Sequence, residues 1–74
     1  MDNYIFCKRL LECRKKAHIS QKALAEIIGV SDAAITMLEK NKRYPSFETL
    51  IALADYFNVS LDYLCGRSDN PEMR

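Results

Sequence analysis

The sequence predicts an all-α fold, a compact bundle of five helices. Three observations point to it. Apolar residues recur at intervals of three and four, the period of a helix that buries one face. Ser20, Ser31, Ser46 and Ser60 each stand just before such a stretch, where a hydroxyl can accept a hydrogen bond from an otherwise unpaired helix N–H. Only two Gly and two Pro occur in 74 residues, too few for the tight turns of an all-β chain. A chain of this length makes one domain with a modest core, and a composition 49% hydrophobic and 28% charged argues against disorder.

The first helix is expected from Tyr4 to Ala17. Phe6, Leu10, Cys13 and Ala17 share one face, and Lys8, Arg9, Glu12, Lys15 and Lys16 lie on the other. Arg14, Lys15 and Lys16 complement its C-terminal dipole. The second helix follows Ser20, runs from Gln21 to Ile28 and stops at Gly29, which tolerates the left-handed conformation that ends helices. Ser31 caps a third helix, Asp32 to Lys40, with Ile35 and Leu38 inward and Asp32 favourable at its start. Asn41 to Pro45 reads as a polar, basic loop in which Asn41 can take a positive φ. Ser46 caps the fourth helix, with Leu50, Leu53, Ala54 and Phe57 at helical spacing and its end at Asn58-Val59. Ser60 caps a short fifth helix, Leu61 to Cys65. The domain is expected over residues 1–66, followed by a polar, frayed C-terminal tail over 67–74.

No apolar run reaches the roughly 20 residues that span a bilayer, and the first residues lack the pattern of a signal peptide. A cytoplasmic chain with no membrane partner is expected. Cys7, Cys13 and Cys65 then read as reduced, buried small hydrophobes. Charge is asymmetric. Residues 1–43 hold nine Lys or Arg against five Asp or Glu, whereas residues 44–74 hold two against five. A basic front suits a face presented to a polyanion.

The informative stretch is Gln21 to Lys40, a short helix, a turn beginning at Gly29, and a second helix. Helices that cross steeply at close range need a small residue at the crossing, which Ala25 supplies. Gly29 gives the turn its backbone freedom, and Ile35 reaches back into the wedge. Leu24, Ile28, Val30 and Leu38 fill the remaining core.

On these residues the sequence resembles the helix-turn-helix family of the phage Cro and repressor type, the XRE family, with its lambda repressor-like fold. Arg9-Leu10, Arg14, Ser20-Gln21, Leu24-Ala25, Gly29-Val30-Ser31, Ile35, Leu38-Glu39, Lys42-Arg43, Pro45-Ser46, Leu50, Leu53-Ala54 and Val59-Ser60-Leu61 carry the resemblance, with Leu64 after them. It covers residues 5 to 66 and implies a transcriptional regulator, by default a repressor, that binds a double-stranded DNA operator as a homodimer with its third helix in the major groove. The resemblance places Gln21 and the loop residues Asn41, Lys42 and Arg43 on phosphates, and Lys22 and Ser31 join that set. The bland alternative for these is a solvated polar surface. It also makes Arg14 and Glu39 a partly buried salt bridge with a structural role.

The candidate base-reading positions are Asp32, Ala33, Thr36, Met37 and Lys40. Ala33 and Met37 suit thymine methyls, Thr36 can bond a base or phosphate, Lys40 a phosphate or guanine, and Asp32 a cytosine amine. Asp32 reads equally well as a dipole-favouring helix start. The face is sparse in direct readers, so DNA shape and dimer spacing share the specificity. The dimer contact is expected at Tyr56, Leu61, Tyr63 and Leu64, with Tyr4 and Ile5 as the alternative.

Catalysis has little support. His18 is the only His and has no ligand-spaced partner, no thiol has a base, and no phosphate loop is present, so neither metal nor cofactor is expected. The serious rival is a protein-binding role, as an antitoxin or adaptor. With no sensing domain in view, control would come from concentration, operator competition, proteolysis or a protein antagonist.

Overall fold

In a computed structural model, residues 3–72 are described, with the backbone alone for Asn3. The expected tail's last residues, Met73 and Arg74, and the N-terminal Met1 and Asp2 lie outside them. The described residues form helices α1 (Asn3–Lys16), α2 (Gln21–Ile28), α3 (Asp32–Glu39), α4 (Phe47–Phe57) and α5 (Leu61–Cys65), with no strand among them.

The four expected cap serines close their helices in the same way. Each has extended backbone, and each side-chain oxygen accepts from the N–H three residues on: Ser20 from Ala23, Ser31 from Ala34, Ser46 from Thr49 and Ser60 from Tyr63. The exits are also alike. After every helix one residue takes a positive φ: His18 at 55°, Gly29 at 89°, Asn41 at 59°, Asn58 at 57° and Gly66 at 86°. The N–H of the next residue then returns to a carbonyl five residues back. Ile19 bonds Arg14, Val30 bonds Ala25, Lys42 bonds Met37, Val59 bonds Ala54 and Arg67 bonds Asp62. This closure ends α3 at Glu39, one residue before the expected Lys40, and ends α1 at Lys16 rather than Ala17.

The core is formed by Phe6, Leu10, Leu24, Ala25, Ile35, Leu38, Leu53, Ala54 and Leu64, with Ile19, Ile28, Val30, Leu50 and Phe57 packed against it. Two members of the expected inward face of α1 depart from it. Ala17 is exposed in the turn and Cys13 is half-buried. Among the thiols only Cys7 is buried, where it donates to the Tyr4 carbonyl at 3.1 Å. Burial raises the Cys13 and Cys65 thiols above their ordinary pKa of 9.0.

The segment after α5 is tied down rather than frayed as far as Pro71. The Arg67 and Ser68 N–H groups bond the Asp62 carbonyl at 2.7 and 3.1 Å, and the Ser60 N–H bonds the Pro71 carbonyl at 2.9 Å. Arg9, expected on the outer face of α1, organises this return. Its guanidinium lies 4.1 Å over the Tyr63 ring and donates to the Tyr63 carbonyl, to the Ser68 carbonyl at 2.8 Å and to the Asp69 carboxylate at 2.8 Å. The stem is sheltered while the head makes three hydrogen bonds, which is how a long cationic side chain holds a partly buried position.

Candidate nucleic-acid interface

α2 and α3 pack across one another through Leu24 and Ala25 on one side and Ile35 and Leu38 on the other, all of them buried. Ala25 has no accessible surface, so any larger side chain there would drive the helices apart. Gly29 sits in the turn with open space where a Cβ would be, so its requirement is the positive φ alone. The wedge leaves one face of α3 to solvent. Asp32, Ala33, Met37 and Lys40 are exposed on it, and Met37 keeps 41% of its surface. Beside it the loop after α3 presents Asn41, Lys42 and Arg43, all exposed. Lys22, in the first turn of α2, is exposed as well. Ser31 is exposed, and its oxygen already accepts from Ala34 at 3.1 Å, which leaves its hydroxyl proton available.

Thr36 and Gln21 are held differently from the rest. The Arg14 guanidinium grips Glu39 with both ends, Nε to Oε2 at 2.6 Å and Nη2 to Oε1 at 3.2 Å. Arg14 also donates to the Ile19 carbonyl at 3.0 Å, which pins the α1–α2 turn. The pair is largely withdrawn from water, with side-chain exposures of 15% for Arg14 and 5% for Glu39. Gln21 Nε2 donates to Glu39 Oε1 at 2.8 Å, and Thr36 Oγ1 donates to Gln21 Oε1 at 2.8 Å. A continuous chain of side chains thus runs from α1 through the end of α3 to the start of α2, and back to the middle of α3. Gln21 is therefore a fixed strut rather than a free polar side chain. At the N-terminus of α2 its backbone N–H has no partner within the helix.

The expected dimer residues separate. Tyr56 and Leu61 are exposed at 41% and 38%, but Leu64 has no accessible surface. Leu64 belongs to the core, because α5 turns that residue against α1 and leaves it unavailable to a partner. Tyr63 is half-buried under the Arg9 guanidinium. Tyr4, of the alternative contact, is 64% exposed, whereas Ile5 is half-buried. Tyr44, in the expected polar loop, is 69% exposed, but sequence reasoning did not anticipate the exposure of Phe47, at 70%. The nearest signal was position, since Phe47 lies at the first turn of its helix, where a side chain projects beyond the core. Among the described residues no group of His, Cys, Asp and Glu could hold a metal ion. No helix of the described residues is long and apolar enough to cross a membrane.

Comparison with known proteins matches this geometry. The HTH-type transcriptional regulators YobD and ImmR of Bacillus subtilis (strain 168) are 32% and 39% identical to the chain over 68 and 62 residues, 92% and 84% of its length. The chain spans 61% of the first and 49% of the second. Among solved structures, the P22 c2 repressor protein in complex with synthetic operator 9T superposes with a TM-score of 0.81 at 36% identity, over 86% of this chain and 97% of that one. The helix-turn-helix family model matches residues 10–64, and so the chain belongs to the helix-turn-helix family.

Proposed function

We propose that this chain is a transcriptional regulator that binds a double-stranded DNA operator as a homodimer, acts as a repressor and works in the cytoplasm. The observation that carries the proposal is the placing of α3. Its exposed face lies next to the basic residues Lys40, Lys42 and Arg43, on a framework that superposes on the operator-bound P22 c2 repressor. α3 would lie in the major groove with Asp32, Ala33, Thr36, Met37 and Lys40 toward the bases. Lys22, Ser31, Asn41, Lys42, Arg43 and the N-terminus of α2 at Gln21 would meet phosphates on either side. The cations supply affinity by releasing counterions, and the groove-facing residues supply choice.

A second copy completes the site. One short helix reads few base pairs, and two copies match half-sites about 34 Å apart along the duplex. The dimer contact would involve Tyr56 and Leu61, and their exposure supports this reading. Repression needs no further surface, because occupation of a promoter excludes polymerase.

The test is fluorescence anisotropy of the purified chain with duplex DNA from upstream of its own gene and with a scrambled duplex, across a salt series. Tight binding to the first, a large preference over the scramble and a steep fall with salt support the proposal. Equal weak binding to both, and no site enriched from genomic fragments, refutes it and turns attention to a protein partner. Sedimentation of wild type and Leu61→Glu, free and on DNA, tests the dimer contact.

A further inference from the structure

We infer that Thr36 determines base specificity and that its hydroxyl meets DNA only as a hydrogen-bond acceptor, so that it selects an adenine or cytosine amine and rejects guanine. The inference rests on the operator-binding reading above.

The direction of the hydroxyl follows from the chain of side chains behind it. The Arg14 guanidinium offers donors only, and it holds the Glu39 carboxylate through both oxygens. That carboxylate offers acceptors only, and its Oε1 lies 2.8 Å from an end of the Gln21 amide. An amide oxygen there would face a carboxylate oxygen, so the amide nitrogen must occupy the position. The Gln21 carbonyl oxygen is thereby turned toward α3, where it lies 2.8 Å from Thr36 Oγ1. Two oxygens at that separation need a proton between them, and only Thr36 has one to give. The other atom within reach of the hydroxyl is the Asp32 carbonyl at 3.3 Å, which is also an acceptor. Both neighbours take the proton and neither returns one. No hydrogen bond to Oγ1 from a protein donor stands among the described residues, so its lone pairs remain to be filled on a residue that is still partly accessible.

The major groove translates this into a choice of base. Guanine presents N7 and O6 there, both acceptors, whereas adenine presents its N6 amine and cytosine its N4 amine. An acceptor-only hydroxyl opposes guanine and accepts from the other two. The groups around it act in the same sense. Asp32 is exposed and ordinarily an acceptor, and Ala33 and Met37 are exposed and suit a thymine methyl. Of the candidate reading residues only Lys40 presents a donor outward. Gln21 is accordingly a positioning residue, which orients Thr36 without reading the base itself.

The test uses the full chain with a randomised duplex pool, sequencing of the enriched duplexes, and anisotropy on single-base variants of the enriched site. Wild type should favour adenine or cytosine at one position of each half-site and bind guanine there about 10-fold more weakly. Thr36→Val keeps the shape without the hydroxyl, and should reduce that discrimination to about 2-fold at that position alone. Thr36→Ser should keep it. Gln21→Met releases the hydroxyl proton, and should lessen the guanine penalty at the same position whatever it does to overall affinity. Circular dichroism melts establish that each variant is folded. Guanine favoured at that position, or base preferences unchanged in Thr36→Val, overturns the inference while the operator reading stands. An equal loss across all sequences in Gln21→Met also overturns it, because Gln21 would then only hold a phosphate or the fold. A pool that enriches no duplex overturns the operator reading, and the inference falls with it.

Discussion

Replacing Arg14 by Met keeps the stem of the side chain and removes its charge. The Glu39 carboxylate, 5% exposed, would then lose two donors and keep only Gln21 Nε2. Leaving a buried charge without its partner costs about 3–5 kcal/mol. Arg14 is itself 15% exposed, so water can replace part of what is lost, and we place the cost just below that range, at about 2–3 kcal/mol. A domain of 74 residues has roughly 4–11 kcal/mol in total. The variant should therefore melt roughly 8–24 °C below wild type. Replacing Glu39 by Met in the same chain removes the orphaned charge and should restore the stability to within about 1 kcal/mol of wild type, since paired apolar groups can substitute for a buried ion pair. Thermal and urea unfolding followed by circular dichroism measure all four members of this cycle. A loss below about 0.5 kcal/mol in Arg14→Met would show an ordinary solvent-exposed pair. A double variant as unstable as the sum of the singles would show no coupling. Either result refutes the reasoning, and the orientation of Gln21 would lose its support.

Lys42→Gln and Arg43→Gln should each weaken DNA binding by a similar factor on every sequence and reduce the slope of log affinity against log salt by about 1, as read by anisotropy titration. The αL position at His18 should accept Gly with a gain of about 0.5–1 kcal/mol in urea unfolding, because the residue is exposed and its positive φ penalises a Cβ. Burial raises the Cys13 and Cys65 pKa values, so native protein at pH 8 should react more slowly with an aromatic disulfide reagent than urea-unfolded protein. The unfolded chain ionises these thiols first. Their contribution to stability is therefore present below about pH 9 and lost as pH rises through the native values, which an unfolding series from pH 7 to pH 10.5 would follow.

The helix boundaries were legible because their determinants are local. A serine caps the helix it precedes whatever the rest of the chain does, and Gly29 and Asn41 announce a left-handed exit by side-chain type. His18 did not, since its positive φ is imposed by the returning bond from Ile19 to Arg14 rather than by any preference of histidine. Faces were legible in proportion to helix length. Fourteen residues of α1 define an apolar stripe, and even there Cys13 and Ala17 departed from it near the end. Five residues of α5 define none, which is why Leu64 and Leu61 looked equivalent while one is buried and the other exposed.

The helices, their caps, the core residues Leu24, Ala25, Ile35 and Leu38, and the basic loop follow from local sequence, because spacing and side-chain chemistry act over a few residues. The tertiary structure alone decided what the polar side chains do to one another. Gln21 and Thr36 are fifteen residues apart and Arg9 and Ser68 fifty-nine, and neither pair has any local reason to meet. Directional hydrogen bonds form only once packing has set distance and angle, so the clamp on the tail and the orientation of the Thr36 hydroxyl exist only in the folded chain.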